Sequence, residues 1–399
     1  MNSIMKNKVY YGEYSLSHWI KLIMKKDIIL PDYQRYFVWK EDQIESLIST
    51  LKEGYFIPPI IIGACIIDGK NENIIIDGQQ RLTSVLLAYL QAFPKPDKFK
   101  EEIIGWSDSA NVKRWTFKEL TQSNKSIEEL RTALKDDNRY KPLEIEITEE
   151  KLNSTYIGFS YIIPEIPDDD NQKAQQNYYS TIFRSINQQG TKLRPVESRK
   201  ALYFLDTNLV KWFEPNLEYK VEGKSKMTKI PLDFIRYISV LTEYYKRHVV
   251  DKKKIKIIDL LPSDNTEKYY ERYIYTYTGM NDENEDALGQ FGKIDEIFTN
   301  GEFLSFIEKL KKNIDDLDLH AIEFKSIIAL DIYFYGLVYY LLFEKKEINL
   351  DKKKNLLKLL ARYTKQYTDN TEHSKSPNSK TYWAERIETS IRIYKRYLK

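Results

Sequence analysis

The sequence predicts an α+β fold. A small α/β domain occupies residues 1–100, residues 101–225 continue it, and a mostly α-helical C-terminal domain fills 226–399. Three observations lead there. Two apolar, β-branched runs at 57–67 and 73–77 flank the turn residues Asp68-Gly69-Lys70-Asn71 and read as a hairpin. Helix-period segments sit directly before and after that hairpin. Past Leu232 most segments carry apolar residues at helical spacing.

The bulk numbers bound the rest. A chain of 399 residues with 42% hydrophobic content can bury sizeable cores and suggests two or three structural units. With 62 basic and 59 acidic side chains the formal charge is +3, so any nucleic-acid surface must come from local clustering. Cys65, the single cysteine, excludes an intramolecular disulfide and fits a reducing cytoplasm. The first residues, MNSIMKNKVYYGEYS, lack the apolar core of a signal peptide. The longest apolar stretch, 326–343, contains Asp331 and suits a buried helix better than a membrane span. The 31 tyrosines accompany abundant lysine, isoleucine and asparagine; this compositional bias lowers the weight of any single aromatic cluster.

In chain order, residues 15–26 place Leu16, Trp19, Ile20 and Ile23 on one helical face, and His18 has no second metal-type ligand at hand. The chain then extends through Ile28-Ile29-Leu30 into Pro31-Asp32-Tyr33-Gln34-Arg35-Tyr36-Phe37-Val38-Trp39, where proline limits helix. Polar side chains among four aromatics suit either a pocket wall or a loop buried under rings. Residues 40–52 repeat the helical pattern, with Glu41 and Asp42 favouring the N-terminal end and Gly54 stopping it. After the hairpin a helix runs to about Leu90. Residues 93–110 are expected as a loop, 141–147 and 160–166 as strands, and 164–173 as an acidic loop. Its run Asp168, Asp169 and Asp170 is more often a solvated segment than a metal site. Later helices are expected over 232–245, 303–317, 321–343, 352–367 and 382–398, with 264–301 irregular. The aromatic cluster at 268–277 is assigned to packing. The basic residues of 252–256, with Arg392, Lys395, Arg396 and Lys399, suit phosphate contacts and ordinary solvated faces equally.

The densest chemistry lies in Ile74-Ile75-Ile76-Asp77-Gly78-Gln79-Gln80-Arg81-Leu82-Thr83. A buried strand ends in an acid, a glycine bends the chain, and polar residues open an amphipathic helix. Glycine lets the backbone approach a ligand closely, and a helix start offers free N–H groups to an anion. Arg81 adds a fork that matches phosphate or carboxylate. The same residues equally suit a strand–turn–helix joint with Asp77 as cap and Arg81 in a salt bridge. A second dense stretch, 179–200, reads as helix, polar loop and helix, with Gly190 at the turn and Pro195 opening the next helix. Asn187, Glu197 and Arg199 there suit a ligand site or a tight, capped connector.

The ordered combination PDYQRYFVW, YFIPPIIIG and IIIDGQQRLTSVLL resembles the DUF262 family, the domain of the S half of GmrSD-type modification-dependent restriction systems. IFRSINQQGTKLRPVESRKAL is similar to that family's second block, Phe-x-x-x-Asn-x-x-Gly-x-x-Leu-x-x-x-Glu. Together the blocks cover roughly the first half of the chain.

The resemblance implies a ParB/sulfiredoxin-like N-terminal domain. It implies an NTP site at Asp77, Gly78, Gln79, Gln80, Arg81 and Thr83, in which Asp77, Gln80 and Arg81 are the catalytic candidates. It brings Tyr33, Gln34 and Arg35 near the same pocket and carries over Asn187, Gly190 and Glu197 from the second block. Mg2+ accompanying the nucleotide is compatible with this set; no metal-ligand set of the chain's own is identified. The implied function is an NTP-binding and NTP-hydrolysing component of bacterial antiphage, restriction-type defence. It would work in the cytoplasm with DNA and a separate nuclease, away from membranes; a homo-oligomer is allowed. Alternatives are a non-hydrolysing nucleotide-gated module that binds DNA or a partner, and a direct ParB-like nuclease using Asp77 and Glu72. Many fused relatives carry a C-terminal HNH-type nuclease with a His-x-x-Pro setting. Past residue 250 this chain has only His320 and His373, neither in that setting, which implies a stand-alone S-type protein.

Overall fold

The computed structural model describes residues 6–30, 37–99, 118–121, 125–165, 171–188, 195–222, 227–262, 265–278, 286–293, 297–298 and 302–399. The first segment opens with a strand the sequence reading missed, Lys6–Ser15 (β1). Val9, Tyr10 and Tyr11 are exposed on it, so burial does not stamp the strand with a clean alternation. Ser15 caps the next helix, Leu16–Met24 (α1), by accepting from the His18 N–H. Glu41–Lys52 (α2), Ile60–Ile67 (β2), Lys70–Asp77 (β3) and Gln79–Leu90 (α3) follow as expected.

The expected loop after α3 instead holds a short strand, Ala92–Pro94 (β4), and one helical turn, Pro96–Phe99 (α4). Lys118–Thr121 (α5), Ile127–Asp136 (α6), Tyr140–Pro142 (β5) and Glu149–Ser154 (α7) lead to Tyr156–Glu165 (β6). The strand expected at 141–147 shrinks to β5, which pairs with β4. Leu143 and Ile147 are buried, so their alternation marks an extended packed segment rather than a ladder. The second block forms Asn171–Gln188 (α8) and Pro195–Lys200 (α9). Asp168, Asp169 and Asp170 lie outside the described residues.

The strands β1, β6, β2 and β3 form one mixed sheet in that spatial order. β1 runs antiparallel to β6, β6 parallel to β2, and β2 antiparallel to β3. Along β3 successive side chains point to opposite faces. Ile75 joins the core built with α1, α2 and α3, whereas Ile74 and Ile76 join Cys65, Tyr179 and Phe183 under α8. Helices therefore pack on both faces of the sheet at β2 and β3.

The chain separates into two compact units, one reaching Thr207 and the other running from Asn208 to Lys399. The second contains Thr207–Phe213 (α10, from its second residue), Glu218–Glu222 (β7), Met227–Pro231 (β8), Phe234–Tyr245 (α11), Ile257–Leu260 (α12), Thr266–Thr278 (α13) and Asp286–Phe291 (α14). Glu302–Asp316 (α15), Glu323–Phe324 (β9), Ile327–Val338 (α16), Lys353–Thr368 (α17), Thr371–Lys375 (α18) and Lys380–Lys395 (α19) complete it. β7 lies between β8 and β9, a small sheet that the sequence did not announce. Helix α13 replaces part of the expected irregular stretch. Its Tyr269, Tyr270, Tyr273 and Tyr277 are buried, so this cluster does serve packing.

Helix α16 is buried on all sides, and Asp331 inside it is fully enclosed. Arg236 of α11 grips Asp331 with two bonds of 3.1 and 3.0 Å, and Arg386 of α19 adds two more at 3.0 and 2.8 Å. The acid that argued against a membrane span is thus the anchor of a buried ion triad. Among the described residues no helix is long and apolar enough to cross a membrane.

Candidate functional site

The turn from Asp77 to Arg81 joins β3 to α3 at the end of the sheet where Asp77 pairs with Ile61. Gly78 is the N-cap of α3 with φ of +100°, a left-handed value that glycine adopts without strain. A Cβ there would also collide with Ile60. Gly78, not Asp77, occupies the N-cap position of α3 and brings no capping side chain. The first N–H groups of this twelve-residue helix therefore start without a side-chain acceptor at Gly78.

Asp77 turns instead to Arg81: Nη2 lies 2.6 Å from Oδ2. Arg81 Nη1 donates to the carbonyl of Pro58 and, at 3.3 Å, to that of Pro59. The Arg81 side chain is 12% exposed and that of Asp77 42%, so the carboxylate is the solvent-facing half of the pair. Burial pulls the guanidinium pKa below its ordinary value, against the opposing pull of Asp77. The arrangement holds a partly desolvated cation at a helix start, with one accessible acid beside it.

The other predicted residues fall in distinct places. The amide oxygen of Gln80 accepts from the Val38 N–H at 3.0 Å, so this side chain fastens the segment that resumes at Phe37. At the other end of that segment, Ile29 pairs in parallel with β3, its N–H donating to Asn73 and its carbonyl accepting from Ile75. Both anchors belong to β3 and α3; Tyr33, Gln34 and Arg35 themselves lie outside the described residues. Gln79 opens α3 beside Gly78. Thr83 is 1% exposed and its hydroxyl is enclosed in the packing behind the turn.

In the second block, α8 runs antiparallel to β2. Gln175 meets Ile66, and one helical turn later Tyr179 meets Ala64. The last turn of α8, with Asn187, therefore heads toward the Ile61–Asp77 end of the sheet. Gly190 lies outside the described residues, and Glu197 is buried in α9 together with Arg199. The carbonyls of Pro58 and Pro59 are partners of Arg81 that sequence reasoning missed; the IPP motif signalled a turn but not its acceptor role.

Other chemistry is accounted for. Glu72 and Asp77 stand five positions apart along extended β3, about 16 Å at strand spacing and on opposite faces, so they do not share a metal. Among the described residues no three His, Cys, Asp or Glu side chains cluster as a metal set. His320 pairs with Asp315, and His373 with Glu385 between the rings of Tyr367 and Tyr382. Burial pushes the Cys65 thiol up to about 12, which makes it inert at neutral pH.

Residues 17–204 match the family model of the GmrSD restriction endonuclease, N-terminal domain. The matched segment begins in α1, ends just past α9, and contains both sequence blocks and the whole Asp77–Arg81 turn. The likeness read from the two blocks is to this domain. The chain is also similar to an uncharacterized protein of Methanocaldococcus jannaschii, 28% identical over 275 residues, covering 55% of this chain and 47% of that protein. It spans about half the length of that curated relative.

Proposed function

We propose that this chain is a nucleotide-binding component of a restriction-type defence system, acting on DNA with a separate nuclease and hydrolysing the nucleotide. One observation carries the reading. Inside the segment that matches a restriction endonuclease domain, a helix start with glycine at its N-cap stands beside the largely buried cation Arg81. N–H groups of Gln79 and Gln80 and the positive end of α3 hold phosphate oxygens. Arg81, fixed by Asp77 and the two proline carbonyls, neutralises charge as it develops on the transferred phosphoryl group. Asp77 presents its solvent-facing carboxylate to the attacking water. Gln80 positions the segment after residue 36. The sheet with helices on both faces is compatible with a ParB/sulfiredoxin-like ancestry.

A magnesium ion fits this donor set, because Mg2+ takes one or two carboxylates and completes its shell with phosphates and water. Asp77 would hold it, and the ion would supply further charge neutralisation at the phosphates. Phosphate release measured with each of the four NTPs tests the reading. Wild-type protein should release phosphate, and Arg81→Ala should lower the rate roughly 100-fold. Equal release by both proteins would sink the assigned site.

The bonds already made by Arg81 favour a second reading, binding without turnover. An incoming phosphate competes with Asp77, Pro58 and Pro59 for the guanidinium and so alters the connection between α2 and β2. Nucleotide-dependent thermal stabilisation with no phosphate release selects this regulatory mode.

A further inference from the structure

Beside the turn, and unused by it, an open cleft of about 370 Å3 lies against β1 and β6. Tyr11 and Glu13 of β1, Tyr156 and Gly158 of β6, and Tyr55 and Phe56 from the α2–β2 connection line it. Four of its five aromatic residues stand in solvent: Tyr11 is 77% exposed, Tyr55 66%, Phe56 84% and Tyr156 53%. Among the described residues none of these rings stacks on another, and none of the three tyrosine hydroxyls has a partner. Large aromatic surface left uncovered in one place marks an interaction site.

The strand register shapes the floor. Glu13 sits opposite Gly158 in the antiparallel ladder, so one carboxylate stands beside a position with no side chain. A Cβ on Gly158 would meet only the Gly12 carbonyl at 3.6 Å and the Pro59 Cβ at 3.7 Å, ordinary contacts that leave the floor accessible to a flat group. The lining holds this one acid and no cation.

We propose that the cleft receives an unpaired nucleobase of a DNA strand. Exposed rings offer stacking faces to any base. The Glu13 carboxylate and the tyrosine hydroxyls suit the N–H groups on a base edge, which is how extruded bases are read in aromatic pockets. The volume lies at the low end of the roughly 300–1,000 Å3 of small-molecule sites and suits one base with its sugar. Charge decides the source. A free nucleoside triphosphate brings several negative charges close to its base, and this lining has an acid but no cation to receive them. A base on a strand brings one phosphate, which stays on the rim. The wall residue Pro59 is held through its carbonyl by Arg81. That contact links base capture to the nucleotide turn, and this link alone rests on the proposed NTP site.

Fluorescence anisotropy of the full chain with a labelled single-stranded oligonucleotide tests the cleft. Tyr55→Ala and Phe56→Ala remove exposed rings, so they leave the core intact. Each should weaken strand binding about 5- to 150-fold, the loss of one stacking contact. Gly158→Val fills the floor and should weaken binding similarly with an unchanged melting temperature. An abasic strand should bind wild type more weakly than the intact strand does, whereas Phe56→Ala should distinguish the two strands much less. Unchanged strand affinity in all three variants overturns the proposal. So does a loss of NTP affinity with strand affinity intact, which would give the cleft to the nucleotide's own base. Self-association lost in Phe56→Ala with strand binding unaffected overturns it too, in favour of a second copy of the chain. Strand affinity is read independently of phosphate release, so failure of the NTP site leaves this test intact.

Discussion

At Gly78 two constraints coincide: the backbone is left-handed, and Ile60 occupies the space a Cβ would need. Either constraint alone would select glycine here, before any ligand is considered. Gly78→Ala should therefore destabilise the chain by roughly 1–2 kcal/mol from the backbone term alone, with the Ile60 collision adding to it. A urea titration reads this as a lowered midpoint at constant slope; an unchanged midpoint would refute the packing account. Arg81 shows the same double use. It holds the Pro58–Pro59 connection in place and, in the proposed function, meets phosphate, so structure and chemistry share one side chain.

At the scale of elements, α8 solves a problem created by the sheet. β6 pairs with β2 only from Ile60 to Gly63, which leaves the backbone beyond without ladder partners on that side. Gln175 supplies them: its amide accepts from the Ile66 N–H and donates to the Ile66 carbonyl, both at 3.1 Å. The Tyr179 hydroxyl donates to the Ala64 carbonyl, and its ring packs where Gly63 lacks a side chain. The second sequence block is thereby tied to the first. Gln175→Leu leaves both Ile66 groups unpaired and should cost roughly 1–3 kcal/mol. Hydrogen exchange at the Ile66 amide should accelerate; unchanged protection would mean that another group, not Gln175, satisfies this edge.

Across the whole molecule, charge and aromatic content are distributed by burial. In the helical unit Asp331 neutralises one of two enclosed guanidiniums, and Arg236 also lies 4.2 Å over the Trp383 ring. Removing one partner of such a set leaves uncompensated buried charge. Asp331→Asn keeps the shape and should still cost about 3–5 kcal/mol. A loss under about 1 kcal/mol in denaturant titration would show that the arginines find other compensation. Tyrosines follow the same division: Tyr273 bonds Tyr277 and Tyr269 bonds Glu243 inside this unit, whereas Tyr11, Tyr55 and Tyr156 of the sheet unit face solvent.

The sequence by itself determined the hairpin, the helices around it, the glycine turn and the fold class, because each is written in neighbouring residues. Turn chemistry, periodicity and caps act over a few positions, and Asp77–Arg81 lies within one helical turn. It missed β1, whose Val9, Tyr10 and Tyr11 are all exposed, and the short strands β7 to β9, which are too brief to show a period. Only the tertiary structure decided what Arg81 holds, since Pro58 and Pro59 lie more than twenty positions earlier. It also decided that Gln80 faces the Val38 backbone, that Glu72 and Asp77 are apart, and that Asp331 is paired. Above all it sorted the tyrosines. Composition counts rings equally, but whether a ring is core or recognition surface depends on what packs over it, and that is set by contacts distant in the chain.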